Sequence, residues 1–438
     1  MRRPGAFEDR YKMAATKPTK VERARARRLP SRGQPGDAVA RIAKAVVSLL
    51  ASEGPGAVTH RRVADAAGVS LASTTYYYAS KFEMIADAQK RLLDDYVEAF
   101  ERAKRRHRAG EPVVRDLPEL VAKLVKNATG RHGRDTLAWS EIMLNCARDP
   151  RGQALAQAWY DRLQAVWREL LVEFGAEQPN ALVNPAIDTV VGLLFVAVSL
   201  QLTAEEVDDL LDGRRPLAAI SARLLPARAP SSFDSDRPAG RSRATRGRII
   251  DAAVTALETR DPAGLSFTTI AQRARLTNAA PAYHFPTLEA LLDLANEEVT
   301  RRMVGRSIAM MEPPPAEKVG LAFAADLLAA IHIRGVLECG AADLAGYSAW
   351  LNAARKPAHR AGVSSAFLQF EAAFAEYLSI LSDGASGRHA LLLMAQFFGR
   401  SVRMLATGAR TVDLAGARRD FEGVIASIRA GTHPVLDA

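Results

Sequence analysis

Cysteine is nearly absent from this chain: Cys146 and Cys339 are the only two in 438 residues, and neither belongs to a CxxC or a Cys/His cluster. That scarcity argues against a disulfide framework and against zinc, and no metal or cofactor is expected. Both thiols are expected to be reduced core residues of a cytoplasmic protein. Also missing are a glycine-rich phosphate loop, a GxSxG elbow, an HExxH pair and carboxylates set for acid/base work, so no enzyme is expected. Long apolar runs are scarce as well. The most apolar one, Thr189 to Leu200, is shorter than the roughly 18 residues a spanning helix needs, and Asp188, Glu205 and Glu206 lie beside it. No membrane span is expected. The Arg-rich N-terminus lacks the apolar stretch of a secretory signal. Alternating strand patterns are not found, which leaves helices.

What is present is enough apolar material, 48% of 438 residues, for two or more domains. The formal net charge of +10 fits a nucleic-acid partner, although charge alone separates that poorly from a membrane surface or a solvated exterior. Residues 1–36 carry Arg2, Arg3, Lys12, Lys17, Lys20, Arg23, Arg25, Arg27, Arg28 and Arg32 among Pro and Gly, with little to bury. They read as a disordered basic arm, either a DNA-contacting extension or a plain tail, with Met13 as an alternative start.

Helical periodicity begins at Asp37. Val39, Ile42, Ala43, Val46, Leu49 and Leu50 recur at three- and four-residue spacings until Gly54, Pro55 and Gly56 stop the run. Thr59 is placed to cap a second short helix whose buried face is Val63, Ala64 and Ala67. Gly68 supplies the turn, Ser70 caps a third helix over Leu71 to Tyr77, and Ser80 caps a long fourth helix reaching about His107. Residues 37–82 therefore form a three-helix head.

Residues 83–225 read as helix after helix, punctuated by Pro118, Gly130, Pro150, Gly175, Pro179 and Gly213, which predicts an all-α bundle. Residues 226–240, rich in Pro, Ser and Asp, read as a linker. A second head follows over 241–289, opened by Arg241, Arg243, Arg246 and Arg248, and a second bundle over 290–438. The two copies align without a gap at an offset of 207 positions, pairing Ile42 with Ile249, Leu50 with Leu257, Pro55 with Pro262, Thr59 with Ser266, Ala64 with Ala271 and Tyr78 with Phe285. A period this long is a duplicated module, not a solenoid.

A helix fits the major groove, and in a helix-turn-helix the second short helix lies there while the first braces on the backbone. Cap hydroxyls at Thr59 and Ser70, with His60 and Arg61 beside the first, are placed for phosphates. Leu71, Ser73 and Thr74 are expected to face base edges, and Tyr76, Tyr77 and Lys81 to hold flanking phosphates. Tyr78 reads as core.

The arrangement T-x3-V-A-x2-A-G-V-S-x5-YYY-x-S-K-x-E-M over Thr59 to Met84 resembles the DNA-binding domain of tetracycline-repressor (TetR) family transcriptional regulators. Each half looks like one family subunit, with the bundles matching by helix pattern alone. The resemblance implies a repressor of double-stranded operator DNA, with a small-molecule effector pocket and a dimer interface in the bundle. Carried over by position, Thr59, Ser70, Ser73, Thr74, Tyr77 and Lys81 match family DNA contacts. Thr75 stands where many members have tyrosine, so that phosphate contact is expected to pass to Tyr76.

The second head departs further. Arg275 replaces the turn glycine, at a cost of roughly 1 kcal/mol if the left-handed geometry is kept. Leu288 replaces the lysine, and Pro281 is tolerable only in the first turn of its helix. Ser266, Thr277, Asn278 and His284 are its candidate contacts. The second head either reads a different half-site or is a structural pseudo-head. Ligand-lining candidates are Trp139, Trp159, Trp167 and Phe195 in the first bundle and His332, Trp350, Phe367, Phe370 and Phe397 in the second, each also readable as core. Because family subunits pair through the last two helices of the bundle, the halves are expected to form either a pseudo-dimer within one chain or part of a homodimer carrying four heads. A third class, a protein-binding adaptor without DNA affinity, calls for erosion of both heads, and only the second is eroded.

Overall fold

The computed structural model describes residues 35–224, 240–259, 265–311, 320–379, 381 and 387–437. Apart from Pro35, Gly36 and Gly240, the expected basic arm and linker lie outside the described residues, as does Pro262. Among the described residues every regular element is a helix, in keeping with the all-α expectation.

The first half begins with α1 (Pro35–Glu53), α2 (His60–Ala67) and α3 (Leu71–Tyr77). Helix α1 buries Ile42, Ala43, Val46, Leu49 and Leu50 of the predicted stripe, leaves Val39 half-buried, and ends at Gly54, whose φ of 83° only glycine adopts readily. Helix α4 (Lys81–Arg108) starts at the cap made by Ser80, which accepts from the amide of Glu83 at 3.3 Å. Met84, Ile85 and Ala88 lie under the head, and Phe100 and Lys104 are buried further along α4. One long helix therefore spans head and bundle. The bundle comprises α5 (Leu117–Thr129), α6 (Gly133–Cys146), α7 (Pro150–Glu173), α8 (Pro179–Leu200), α9 (Ala204–Leu211) and α10 (Leu217–Ser221).

The second half runs through α11 (Gly240–Glu258), α12 (Phe267–Arg273), α13 (Ala280–His284), α14 (Leu288–Met311), α15 (Leu321–Glu338), α16 (Gly340–Arg355), α17 (Arg360–Ser379), α18 (Gly387–Ala406), α19 (Thr411–Ala415) and α20 (Ala417–Arg429). One continuous apolar core joins the first head to both bundles. The second head has its own small core around Ile249, Ala253, Ile270, Phe285 and Leu291. Of the two cysteines, Cys146 is buried as expected, whereas Cys339 is only half-buried.

The halves meet where α8 crosses α18, with α7 and α17 alongside. These are the last two long helices of each bundle, not the last two, since short helices follow both. The crossing is backbone against backbone. A Cβ placed on Gly192 would stand 1.8 Å from the carbonyl oxygen of Ala395, and one placed on Gly399 would stand 1.8 Å from that of Asp188. Gly192 and Gly399 are 207 positions apart, and so are Asp188 and Ala395. The two contacts are therefore reciprocal in sequence position.

Helix α8 corrects one expectation. With Pro179 to Asp188 added to the apolar run it has 22 residues, long and apolar enough to cross a membrane by length and composition. It is mostly buried inside the fold, and the Asp188 carboxylate within it is paired with Arg403.

Candidate nucleic-acid interface

The first head is fixed by its caps and its turn. Thr59 Oγ1 accepts from the amide of Arg62 at 3.3 Å, Ser70 Oγ accepts from that of Ser73 at 3.0 Å, and Gly68 sits at φ 60° between them. Arg41 on α1 donates to the carbonyls of Ala67 and Gly68 at 3.3 and 3.2 Å, which pins the turn to the first helix. Tyr78 is core, as read: its hydroxyl donates to Asp87 at 2.7 Å, and burial with that carboxylate beside it raises its pKa.

Helix α3 is rotated from the expected placement. Ser73 is 6% exposed and Thr74 is fully buried. Ser73 Oγ lies 2.8 Å from Ser70 Oγ, and Thr74 Oγ1 donates to the carbonyl of Leu71 at 2.8 Å. Neither hydroxyl is offered to a groove, so their assignment to base edges is corrected. The reason is the 100° step of the helix: 73, 74 and 77 fall on the side packed against α2, and 71, 72, 75 and 76 fall opposite. Leu71 (50% exposed) and Tyr76 (59%) stand out from the surface with Ala72 and Thr75 between them. Ala72 is not among the expected contacts, because an alanine carries no recognisable DNA chemistry. Tyr77 is half-buried, its ring edge-on to Tyr76 at 5.1 Å. Thr59, Arg61 and Ser70 are exposed and His60 is half-buried. Lys81 Nζ donates to the carbonyl of Pro55 at 2.5 Å, tying the start of α4 to the loop before α2.

The second head repeats much of this geometry 207 positions on. Arg248 donates to the carbonyls of Ala274 and Arg275 at 2.6 and 3.3 Å, matching Arg41. Arg275 holds the glycine's conformation, at φ 54°. Ser266 caps α12 and shares a capping box with Thr269. Tyr283 and His284 reproduce the Tyr76/Tyr77 pair, edge-on at 5.2 Å, with Tyr283 84% exposed. Tyr283 is not among the expected contacts, although its alignment with Tyr76 singles it out. The differences concern α13. Helix α13 has five residues, starts after Thr277 and Asn278 and has no side-chain cap; Pro281 is buried in its first turn. Thr277 and Asn278 are exposed on the turn instead of in the helix.

Each head is also held by the opposite half. Arg355 at the end of α16 donates to the carbonyls of Ala51 and Leu50 at 2.9 and 3.0 Å, closing the C-terminus of α1, and pairs with Glu141 on α6. Arg148, 207 positions earlier, donates to the carbonyl of Thr259 just after α11 at 2.9 Å.

The ligand-lining candidates separate into three groups. Trp139 and Trp159 are buried together at 6.2 Å, and Trp167 is buried against Phe100. Phe195 packs on Tyr347 of the other half, so it belongs to the interface instead of a first-half pocket. Trp350 and Phe367 are core rings at 4.7 Å. His332, Phe370 and Phe397 do line a cavity, with Met303, Met310 and Asp343, but its volume is about 20 Å³, room for about one water. Burial, aided by the charges of Arg400 and Arg403, holds the His332 pKa well below that of a free histidine. A larger cleft of about 470 Å³ opens between α14, α16 and α17, lined by Asn296, Glu297, Thr300, Arg301, His359 and Gln369 among others. The sequence does not point to these residues, because polar residues on an amphipathic helix read as a solvated face.

Residues 112–226, which span α5 to α10, match the tetracyclin repressor-like C-terminal domain. This match supports the TetR family and suggests a transcriptional regulator. No curated protein matches the chain.

Proposed function

We propose that the chain is a ligand-responsive, DNA-binding transcriptional regulator of the TetR type, acting as a repressor, whose two halves pair within one molecule as a pseudo-dimer on an asymmetric operator. The observation that carries this reading is the recurrence of head contacts 207 positions apart, Arg41 on the first turn and Arg248 on the second, together with the reciprocal Gly192 and Gly399 crossing. In the first head, Leu71, Ala72 and Thr75 face the major groove, and Thr59, His60, Arg61, Ser70, Tyr76, Tyr77 and Lys81 take the flanking phosphates. In the second, Ser266, Thr277, Asn278, Tyr283 and His284 take the corresponding places. Heads about 34 Å apart reach successive major grooves on one face of DNA. The cleft between α14 and α17 falls within the size range of small-molecule sites, and an effector there would bear on α14, which carries the second head.

Selection of bound DNA from a random pool with the purified chain tests this. Two unlike half-sites about 10 base pairs apart, occupied by one chain, are expected. A perfect palindrome holding two chains, or no enriched sequence, overturns it. A second reading, in which the first head alone binds DNA and the second half serves pairing, is favoured by the five-residue α13 and by Leu288 at the lysine position. It predicts a site one half-site wide.

A further inference from the structure

The two surfaces that meet at the α8/α18 crossing are unlike in charge. Position 188 bears aspartate and its counterpart is Ala395; position 403 bears arginine and its counterpart is Val196. Arg403 donates Nε and Nη2 to the two oxygens of Asp188, each at 2.7 Å, with both residues fully buried. Arg403 also reaches Asp413 at 3.2 Å, and Arg410 holds the other oxygen of Asp413 at 2.6 Å. Arg400 lies 3.9 Å from Asp188 and pairs with Asp420. Arg403 and Arg400, the cations against Asp188, both belong to the second half.

On the pseudo-dimer reading, which this inference presupposes, we infer that the Asp188–Arg403 pair is a pairing lock: it admits half one (35–224) to half two (240–437) and excludes half one from a second copy of itself. The reciprocal glycine crossing fixes what a like pairing would contain. Asp188 would lie on the partner's Gly192, Val196 would stand in place of Arg403, and Leu193 would stand in place of Arg400. Two carboxylates would then be buried with no cation. An uncompensated buried charge is strongly unfavourable, whereas the matched pair roughly breaks even with an apolar isostere. The pair therefore acts on the choice of partner more than on the strength of the union. Two second halves are opposed less strongly, because Arg403 would face alanine but keep Asp413. The permitted partner of half one is half two, of its own chain or of another copy.

The test uses the full chain with a protease site inserted within residues 226–239, prepared in two versions that differ in their tags at both ends. Each is cleaved, and the two are mixed and exchanged through a mild urea step. Half one is then captured by one N-terminal tag. Half two of both versions is expected in the eluate, which demonstrates exchange, and half one of the other version is expected only at background. In Asp188→Ala/Arg403→Val, which gives both halves the same residues at these positions, capture of half one by half one is expected to rise at least tenfold. Asp188→Asn, which keeps the shape and removes the charge, is expected to raise it in the same direction. Like-with-like capture by the unsubstituted protein, or no rise in either variant while half two is still captured, overturns the lock and leaves the pseudo-dimer reading standing. Separation of half two from half one on cleavage of the unsubstituted protein overturns the pseudo-dimer reading and the lock with it.

Discussion

Arg355 and Glu141 meet at 2.5 Å across the two halves of the chain, and the same guanidinium closes the end of α1 through the carbonyls of Leu50 and Ala51. Both side chains are nearly buried, so removing one partner strands the other. Arg355→Ala is expected to destabilise the protein by about 3–5 kcal/mol, read as a lower urea midpoint. Because α1 carries the first head, affinity for DNA should fall even at temperatures where the variant remains folded. A variant with an unchanged midpoint would remove the clamp from consideration.

The two turn positions make a matched pair. Arg275 is held at φ 54° and Gly68 at φ 60°. Arg275→Gly is expected to stabilise the chain by about 1 kcal/mol and Gly68→Ala to destabilise it by a similar amount. A Cβ on Gly68 would meet nothing closer than Arg41 at 3.9 Å, so the cost is conformational and not steric. Thermal unfolding of both variants reads the two shifts, which should have opposite signs.

At the crossing of α8 and α18 the cost is steric. Gly192→Ala forces a methyl group into the Ala395 carbonyl, and the helices must separate. Overpacking of this kind costs about 1–3 kcal/mol or more. Gly399→Ala should behave alike, by reciprocity. Chemical denaturation measures both, and a large difference between them would argue against a two-fold crossing.

Acid should weaken the fold through two histidines. Burial lowers the pKa of His332 well below 6.5 and that of His433 to about 3. Both are neutral when folded, whereas the unfolded chain takes up protons near pH 6.5. Their contribution is therefore complete above about pH 6.5 and is lost as pH falls below it, by about 1.4 kcal/mol per pH unit for each histidine. Between about pH 7.5 and 5 the carboxyls of Glu371 and Asp343, which burial raises to about 7 and about 6, take up protons in the folded state and oppose this slope. The histidine contribution is therefore read as a difference, with His332→Asn lowering the pH dependence of the unsubstituted protein by about one proton.

On DNA, Tyr77→Ala with Lys81→Ala is expected to weaken binding to all sequences and to reduce the slope of log affinity against log salt by roughly 1 for the lost lysine. Changes at Leu71, Ala72 or Thr75 are expected to alter the preferred sequence instead. Gel-shift titrations at several salt concentrations separate the two effects. Unchanged binding by the double variant would remove the first head from the proposed interface.

Much of this was legible in the sequence where the determinants are local. Ser70, Gly68 and the stripe from Ile42 to Leu50 announce caps, turn and buried face within a few residues of each other, and the structure has all three. The orientation of a two-turn helix was not legible. Ser73 and Thr74 carry the hydroxyls, but packing against α2 decides which side turns inward. The long-range partners were hidden altogether. Asp188 reads only as an interruption of an apolar run until Arg403 is folded against it, and Gly192 and Gly399 are unremarkable until their helices cross.

The placement of α8 also bears on how the chain is made. First-half helices α5, α6 and α7 cover part of α8, but its largest contact is with α18, about 200 residues further along, and protein synthesis adds roughly 5–20 residues per second. For something like 10–40 s the face of α8 that packs on α18 has no cover in the nascent first half. During that interval Asp188 lacks its cation, and the face of α8 that will meet α18 has no partner.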